Sequence, residues 1–126
     1  MKDFDAWNEV KKINNIGHRP YFKEREIWWM SLGLNIGDEE DGKGEVFMRP
    51  VLVVKKFNSN IFLGCPLSKI IKPLNKYYCT INLPAGERSV IISQIRLHDA
   101  KRFKERIIGC SVEDFAKIKK ALRDLF

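Results

Sequence analysis

The chain has 126 residues, 44% of them hydrophobic and 31% charged, a balance typical of one folded domain and not of a disordered chain. Its longest apolar runs are far shorter than the roughly 20 residues that span a bilayer, and its start, MKDFDAWNEV, lacks the hydrophobic block of a signal peptide, so we expect a cytoplasmic protein with no membrane contact. The formal net charge of +7 favours a polyanionic partner, either nucleic acid or an acidic protein, with charge that merely aids solubility as the alternative.

An N-terminal helix is predicted ahead of the main domain. In DFDAWNEVKKINN, the apolar residues Phe4, Trp7, Val10 and Ile13 recur on one broad side of a helix. The following NNIGHRP contains asparagine, glycine and proline, which end helices. We therefore assign residues 1–23 to an appended helix and arm, and residues 24–126 to the main domain.

Five short runs rich in Val, Ile, Tyr, Trp and Phe predict β-strands. They are Glu26–Leu32, Arg49–Phe57, Asn60–Leu67, Tyr77–Leu83 and Ser89–Ile95. Turn residues such as NSN and PAGE separate them. Short strands at this spacing favour a small antiparallel barrel or half-open sheet.

The segment between the first two predicted strands, GLNIGDEEDGKGEVFM, is long for a compact domain. It holds four glycines and the acidic run Asp38–Asp41. We expect a flap beside a binding groove, in which the acidic run repels RNA from its own loop. Lys43 is the basic residue of this loop that we predict to contact RNA.

The chain ends in a predicted amphipathic helix, CSVEDFAKIKKALRDLF. Ser111 followed by Asp114 is a capping-box pattern for its first turn. One face of the helix is apolar, with lysines and arginines opposite, and it is formed by Val112, Phe115, Ile118, Leu122 and Leu125. We expect this face to pack against the sheet.

The three cysteines, Cys65, Cys79 and Cys110, are widely spaced and have no C-x-x-C companion. Neither a disulfide framework nor a zinc site is indicated. Since each lies in an apolar setting, we expect buried, reduced thiols and no bound metal.

The order of these motifs is distinctive. EIWWMSLG, NIGDEEDGKG, RPVLVVKKFN, CPLSK and SVIISQIRLHDAKRF, followed by a C-terminal helix, together resemble the MazF/PemK family of toxin endoribonucleases over about Glu24–Phe126. The resemblance implies a small SH3-like β-barrel that forms a homodimer and cleaves single-stranded RNA without a metal or other cofactor. It also implies a type II toxin–antitoxin system with a cognate antitoxin protein as second partner, and DNA binding by the toxin–antitoxin complex.

Two residues match the positions at which this family has its active site. They are Arg49, in the RPV motif, and Ser68, where the family usually has threonine. Because RNA carries its own nucleophile, the ribose 2′-hydroxyl, such an enzyme has to align that oxygen and stabilise charge on the phosphoryl group. The planar fork of Arg49 suits two phosphate oxygens, Pro50 restrains the backbone beside it, and Ser68 keeps the hydroxyl.

Further RNA contacts are predicted along the strands. Lys55, Lys69 and Arg96 offer positive charge to phosphates, and Gln94 is expected to leave the sheet on the same face as Arg96. Trp28 and Trp29 point to opposite faces of one strand, so one is core and the other is exposed for base stacking, and the sequence does not decide which. We take Trp28 as the candidate for stacking.

Alternatives remain open at this stage. A CcdB-like gyrase poison has a related barrel and does not require the Arg49 and Ser68 pair, and a decayed toxin is the third reading, with the serine substitution as its warning sign. The general base is also undecided, since an arginine with a pKa above about 12 is a poor base at neutral pH. His18 and His98 are the only histidines of the chain.

Overall fold

The computed structural model describes residues 19–32, 48–72 and 75–126, which form a mainly β fold. The strands of these residues are β1 (Glu26–Ser31), β2 (Met48–Lys56), β3 (Ile61–Ser68), β4 (Tyr78–Leu83), β5 (Gly86–Ile91), β6 (Arg96–Asp99) and β7 (Phe103–Gly109). Helix α1 (Val112–Asp124) follows, and 3₁₀ turns cover Ile92–Gln94 and Ala100–Arg102. The predicted N-terminal helix and the predicted flap lie outside the described residues.

The strands form one antiparallel sheet in the order β4-β5-β3-β2-β1-β7, with β6 paired to β3 off this path. Strand β3 is the centre, because it pairs with β2 as far as Pro66 and with β6 as far as Gly64, while Leu67 and Ser68 pair with β5. Within the described residues the end strands β4 and β7 do not pair with each other. The prediction of a mainly β, antiparallel fold with a C-terminal helix is confirmed, but the sheet is open and not closed into a barrel.

The five predicted strands correspond to β1 to β5, with one change at the last. The run Ser89–Ile95 does not continue as a strand, because β5 ends at Ile91 and the chain turns through Ile92–Gln94. Strands β6 and β7 were not predicted. In β7 the residues Lys104 to Ile107 are all exposed, so the apolar alternation of a half-buried strand is missing from the sequence.

Two apolar clusters cover the two faces of the sheet. The first lies under α1 and includes Ile27 and Leu52, while the second includes Trp28 and Val51. Since neighbouring residues of a strand point to opposite faces, β1 and β2 are buried on both sides and read as unbroken apolar runs. Phe22, which precedes the first strand, is fully buried in the second cluster.

Helix α1 is capped as predicted, because Ser111 Oγ accepts a 3.1 Å hydrogen bond from the backbone N–H of Asp114. Phe115 and Ile118 are buried, and Leu122 and Leu125 pack at the edge of the first cluster. Val112 is 64% exposed, so the prediction that it belongs to the packed face is wrong. In the part of the chain that the structure describes, no helix has the length and apolar character to cross a membrane.

The three cysteines are free thiols. Cys65 and Cys110 are buried and Cys79 is half-buried. Burial raises the pKa of the Cys65 thiol to about 12 and that of the Cys110 thiol to about 11. These thiols are therefore protonated at neutral pH and behave as core residues.

Candidate active site

A cleft of about 780 Å³ opens where the ends of β1, β2 and β3 meet the hairpin β4–β5. Most of its wall is apolar, including Trp29, Pro50 and Leu67. The polar and charged residues of the wall are Arg49, Ser68, Lys69, Arg88 and Glu105. An apolar cavity with a few convergent polar groups is the usual form of a binding site.

Arg49 is the second residue of β2 and is only 6% exposed. Its guanidinium is anchored, since Nη1 donates a 3.1 Å hydrogen bond to the carbonyl oxygen of Leu67 on β3. Pro50 follows and fixes the backbone beside it, paired with Trp29 of β1. The Arg49 side chain is thus held between β1 and β3, whereas the side chain of an ordinary arginine at a strand end is mobile in solvent.

Ser68 ends β3 next to this guanidinium. Val51 pairs with Pro66, and continuing that antiparallel register by two residues sets Arg49 opposite Ser68. Ser68 is 7% exposed, and its hydroxyl oxygen accepts a 3.1 Å hydrogen bond from the backbone N–H of Ile70. A hydroxyl that accepts one bond still has its hydrogen to donate, so Ser68 is suited to hold an anionic oxygen.

The chain after Ser68 forms one wall of the cleft and is fixed at two points. One is the bond from Ile70 to Ser68, and the other is a 3.1 Å hydrogen bond from the backbone N–H of Lys72 to Ser89 Oγ on β5. Ser89 pairs directly with Ser68 in the register of β3 and β5. This anchoring keeps Lys69 and Ile70 at the cleft.

Among the described residues that line the cleft, the charge is mainly positive, since Arg49, Lys69 and Arg88 are cationic and Glu105 is the single acidic one. Arg88 is held by a 2.8 Å hydrogen bond from Nη1 to the carbonyl of Glu87. Cationic side chains beside an apolar surface favour an anionic ligand, and the effect is larger for the buried Arg49 than for the exposed Lys69.

The predicted site residues fall into two groups. Arg49, Ser68 and Lys69 all line the cleft, whereas Lys55, Gln94 and Arg96 are not among its lining residues. Gln94 lies in a 3₁₀ turn and Arg96 begins β6, so they do not alternate on one strand as predicted. Lys43 lies outside the described residues.

Trp28 does not occupy an RNA-facing position in the structure. It is 7% exposed, with its ring stacked on Phe103 at 4.5 Å, and Nε1 donates a 3.0 Å hydrogen bond to Glu26. Its neighbour Trp29 is 36% exposed and lines the cleft. Trp28 is therefore the core residue and Trp29 the exposed one, which corrects the prediction that Trp28 is the exposed ring.

Sequence reasoning missed Arg88 and Glu105. The hairpin loop between β4 and β5 has two residues, and Gly86, the residue after the loop, has a φ of 124°. Arg88 lies two residues further along β5. The hairpin brings Leu83 and Ala85 to the cleft as well. No local pattern marks these residues, because only the pairing of strands distant in sequence brings them together.

His98 is not among the residues that line this cleft. Burial, with the nearby charges of Arg102 and Arg96, lowers the pKa of His98 to about 3, so it is neutral. It is 6% exposed and packs against Phe62. Among the described residues, His, Cys, Asp and Glu form no group of three or more with the spacing of a metal site.

Comparison with known proteins agrees with this architecture. Residues 23–126 match the family model described as PemK-like, MazF-like toxin of type II toxin–antitoxin system. The fold is similar to the crystal structure of MazF (Form-I) from Deinococcus radiodurans, with a TM-score of 0.63 and 18% identity over 86% of this chain and 96% of that one. It is also similar to the MazE-MazF (Form-II) structure from Deinococcus radiodurans, with a TM-score of 0.58 and 14% identity over 86% and 95% of the two chains. A comparison with curated proteins found no match.

Proposed function

The chain belongs to the family of PemK-like, MazF-like toxins of type II toxin–antitoxin systems, and on that premise we propose that it is an endoribonuclease that cuts single-stranded RNA at particular sequences without a metal ion. The observation that carries the proposal is the buried guanidinium of Arg49, anchored to the Leu67 carbonyl beside the Ser68 hydroxyl. A buried, fixed cation at the mouth of a basic cleft supports binding of a phosphate at one defined place.

The proposed reaction uses a nucleophile that RNA itself carries. The ribose 2′-oxygen attacks the adjacent phosphorus, the bond from phosphorus to the 5′-oxygen breaks, and the proton of the 2′-hydroxyl is passed on while the leaving oxygen gains one. The products are a 2′,3′-cyclic phosphate and a 5′-hydroxyl. Arg49 neutralises the charge that builds on the phosphoryl oxygens, and Ser68 donates a hydrogen bond to one of them. Lys69 and Arg88 hold flanking phosphates.

The same cleft suits a proteinaceous inhibitor. Its wall combines apolar side chains with three cations, so an acidic segment with apolar side chains would match both features. The similar Deinococcus structure contains MazE together with MazF. We therefore propose a cognate antitoxin whose acidic segment covers the cleft, a toxin that acts as a homodimer, and a cytoplasmic site of action, where mRNA is present.

Cleavage of a long single-stranded RNA in EDTA tests this proposal. Wild-type protein and Arg49→Ala are compared, the product ends are identified chemically, and supercoiled DNA is treated in parallel. Cuts that carry cyclic phosphate ends and disappear in the variant support the nuclease and its main residue. Equal cutting by both proteins, or no cutting by wild-type protein, rules out this function for the cleft.

A further inference from the structure

The outer wall of the cleft carries a pair of residues that the proposed reaction does not use. Trp29 on β1 and Glu105 on β7 are direct cross-strand partners, and both line the cleft. Side chains of such partners are about 5 Å apart at their Cβ atoms. Trp29 is 36% exposed and Glu105 is exposed, so an aromatic ring and a carboxylate lie side by side at the cleft.

The sheet holds this pair next to the phosphate site. On its other side Trp29 pairs with Pro50, the residue after Arg49. Glu105, Trp29 and Pro50 therefore form one row across three strands, which spans about 10 Å at the usual spacing between strands. Arg49 points to the opposite face of β2 from Pro50, but Arg49 and Trp29 line the same cleft, so a nucleotide whose phosphate is bound by Arg49 can place its base at the ring.

The pairing of β1 with β7 is irregular on both sides of this pair. Register shifts occur between Ile27 and Trp28 and between Trp29 and Met30. Bulges of this kind re-aim side chains and are frequent beside functional sites. Here they isolate a two-residue segment, in which Trp28 pairs with Arg106 and Trp29 with Glu105.

The neighbouring cross-strand pair, Trp28 and Arg106, fixes the position of this two-residue segment through its hydrogen bonds to Glu26. Glu26 accepts hydrogen bonds from the Lys23 backbone at 2.8 Å, Trp28 Nε1 at 3.0 Å and Arg106 Nε at 2.8 Å. Burial opposes the ionisation of Glu26, but these bonds outweigh it and hold the pKa of its carboxyl below the ordinary value. Because Glu26 on β1 is bonded to Arg106 on β7, it helps to hold Trp29 and Glu105 in register at the cleft.

We propose that Trp29 and Glu105 form a base-reading subsite, in which one RNA base stacks on the indole of Trp29 and its Watson–Crick edge donates hydrogen bonds to the carboxylate of Glu105. A carboxylate only accepts hydrogen bonds, so it selects a base with an exocyclic amino group, which means cytosine, adenine or guanine. Uracil presents two carbonyl oxygens beside its one N–H, and these repel the carboxylate. The inference rests on the proposed nuclease function and names a base preference for it.

Sequencing of the cut sites in a random-sequence RNA pool tests the subsite. Glu105→Gln supplies an amide that donates as well as accepts, so uracil should become acceptable at one position, where the wild-type protein disfavours it by about tenfold. Glu87→Gln removes the same charge from β5 outside the cleft wall and should keep the wild-type pattern. Trp29→Ala should weaken RNA binding, while Trp29→Phe, which keeps a ring, should largely restore it.

Each other outcome counts against the subsite. A Glu105→Gln protein with unchanged base frequencies at every position overturns it. So does an equal loss of cutting at all sites with an unchanged base preference in the residual cuts, since that result assigns the carboxylate to proton transfer. These results leave the nuclease function itself standing.

A binding measurement tests this inference separately from the nuclease proposal. Short 2′-O-methyl oligonucleotides that differ at one position lack the nucleophile, and their affinity for wild-type protein, Glu105→Gln and Glu87→Gln is measured directly. If wild-type protein cuts no RNA but binds amino-bearing bases more tightly than uracil in a way that depends on Glu105, the subsite stands and the nuclease proposal fails. If its affinity is the same for all four bases, the subsite is overturned whether or not RNA is cut.

Discussion

Nη1 of Arg49 donates a 3.1 Å hydrogen bond to the carbonyl oxygen of Leu67, the residue immediately before Ser68. The positions of the Arg49 guanidinium and the Ser68 hydroxyl therefore both depend on the backbone of the last two residues of β3. This coupling suits a site that has to place two groups on one phosphate. Substitution of either residue should accordingly affect cleavage far more than folding.

Arg49→Ala should reduce RNA cleavage by about 10² or more, because a fixed donor to the developing phosphoryl charge is lost. Arg49→Lys keeps a positive charge but loses the planar fork, so its activity should fall between those of wild-type protein and Arg49→Ala. Single-turnover cleavage rates measure both effects, and circular dichroism checks the fold. An Arg49→Lys protein as active as wild-type would show that charge alone matters at this position.

Ser68→Ala should slow cleavage by about 10- to 100-fold, the range expected for one hydrogen bond to a charged group. The variant also leaves the backbone N–H of Ile70 without its side-chain acceptor. Ser68→Thr keeps the hydroxyl and restricts its rotamers, so its activity should stay close to the wild-type level. If Ser68→Ala cuts RNA at the wild-type rate, the hydroxyl serves only the turn.

The contrast between Ser68 and Glu105 shows which parts of the site the sequence reveals. Arg49 and Ser68 were predicted as site residues because each lies in a short motif that occurs in the expected order along the chain. Trp29 could not be told from Trp28, since β1 is buried on both faces and alternation carries no information there. Glu105 lies on a strand without an apolar pattern, and only its pairing with β1 brings it to the cleft.

The fold shows the same difference between features that local sequence predicts and features that depend on contacts between distant segments. The apolar runs of β1 to β4 and the capped helix α1 are local signals that were predicted close to their observed bounds, whereas β5 begins and ends earlier than predicted. The open sheet order and the pairing of β3 with three other strands depend on contacts between distant segments. Local propensity does not encode such contacts, so the spacing of the strands left a small barrel and a half-open sheet as alternatives, and the resemblance implied the barrel.

His98 should make the protein less stable in mild acid. Burial and the nearby Arg102 and Arg96 lower the pKa of His98 to about 3 in the folded state, against an ordinary value of 6.5. The unfolded chain therefore binds a proton that the folded chain does not, and stability that is present above pH 6.5 is lost as the pH falls towards about 3. The linkage gives a loss of about 2 kcal/mol between about pH 7 and pH 5.

Urea unfolding at the two pH values, with wild-type protein and His98→Leu, measures this contribution. The leucine variant removes the titrating ring from its buried position against Phe62 and should lose that part of the pH dependence. Glu26 and Asp99 have lowered pKa values, so their contributions are lost only at lower pH and do not mask the effect. Equal pH dependence in both proteins would show that folding does not shift the pKa of His98.

Gly64 should be required for the packing of the central strand. A Cβ atom at this position would lie 2.7 Å from Val51 Cγ1, 2.8 Å from Phe62 Cε2 and 3.2 Å from the backbone oxygen of Leu52. Val51 and Phe62 are fully buried in the second cluster and have no free space to move into. Gly64→Ala should therefore lower the free energy of unfolding by about 1–3 kcal/mol.

Gly109→Ala is the matched control for this substitution. It also lies on a strand of the same sheet, but the nearest atom to its added Cβ is Arg106 Nη2 at 3.8 Å, an ordinary contact. Chemical denaturation should show little change for Gly109→Ala and a clear loss for Gly64→Ala. Because β3 carries Ser68 at its end, the Gly64 variant should also cleave RNA more slowly, whereas the control should not. Equal stability of the two variants would mean that β2 and β3 can separate enough to accept a methyl group, and the tight packing inferred for the sheet centre would be wrong.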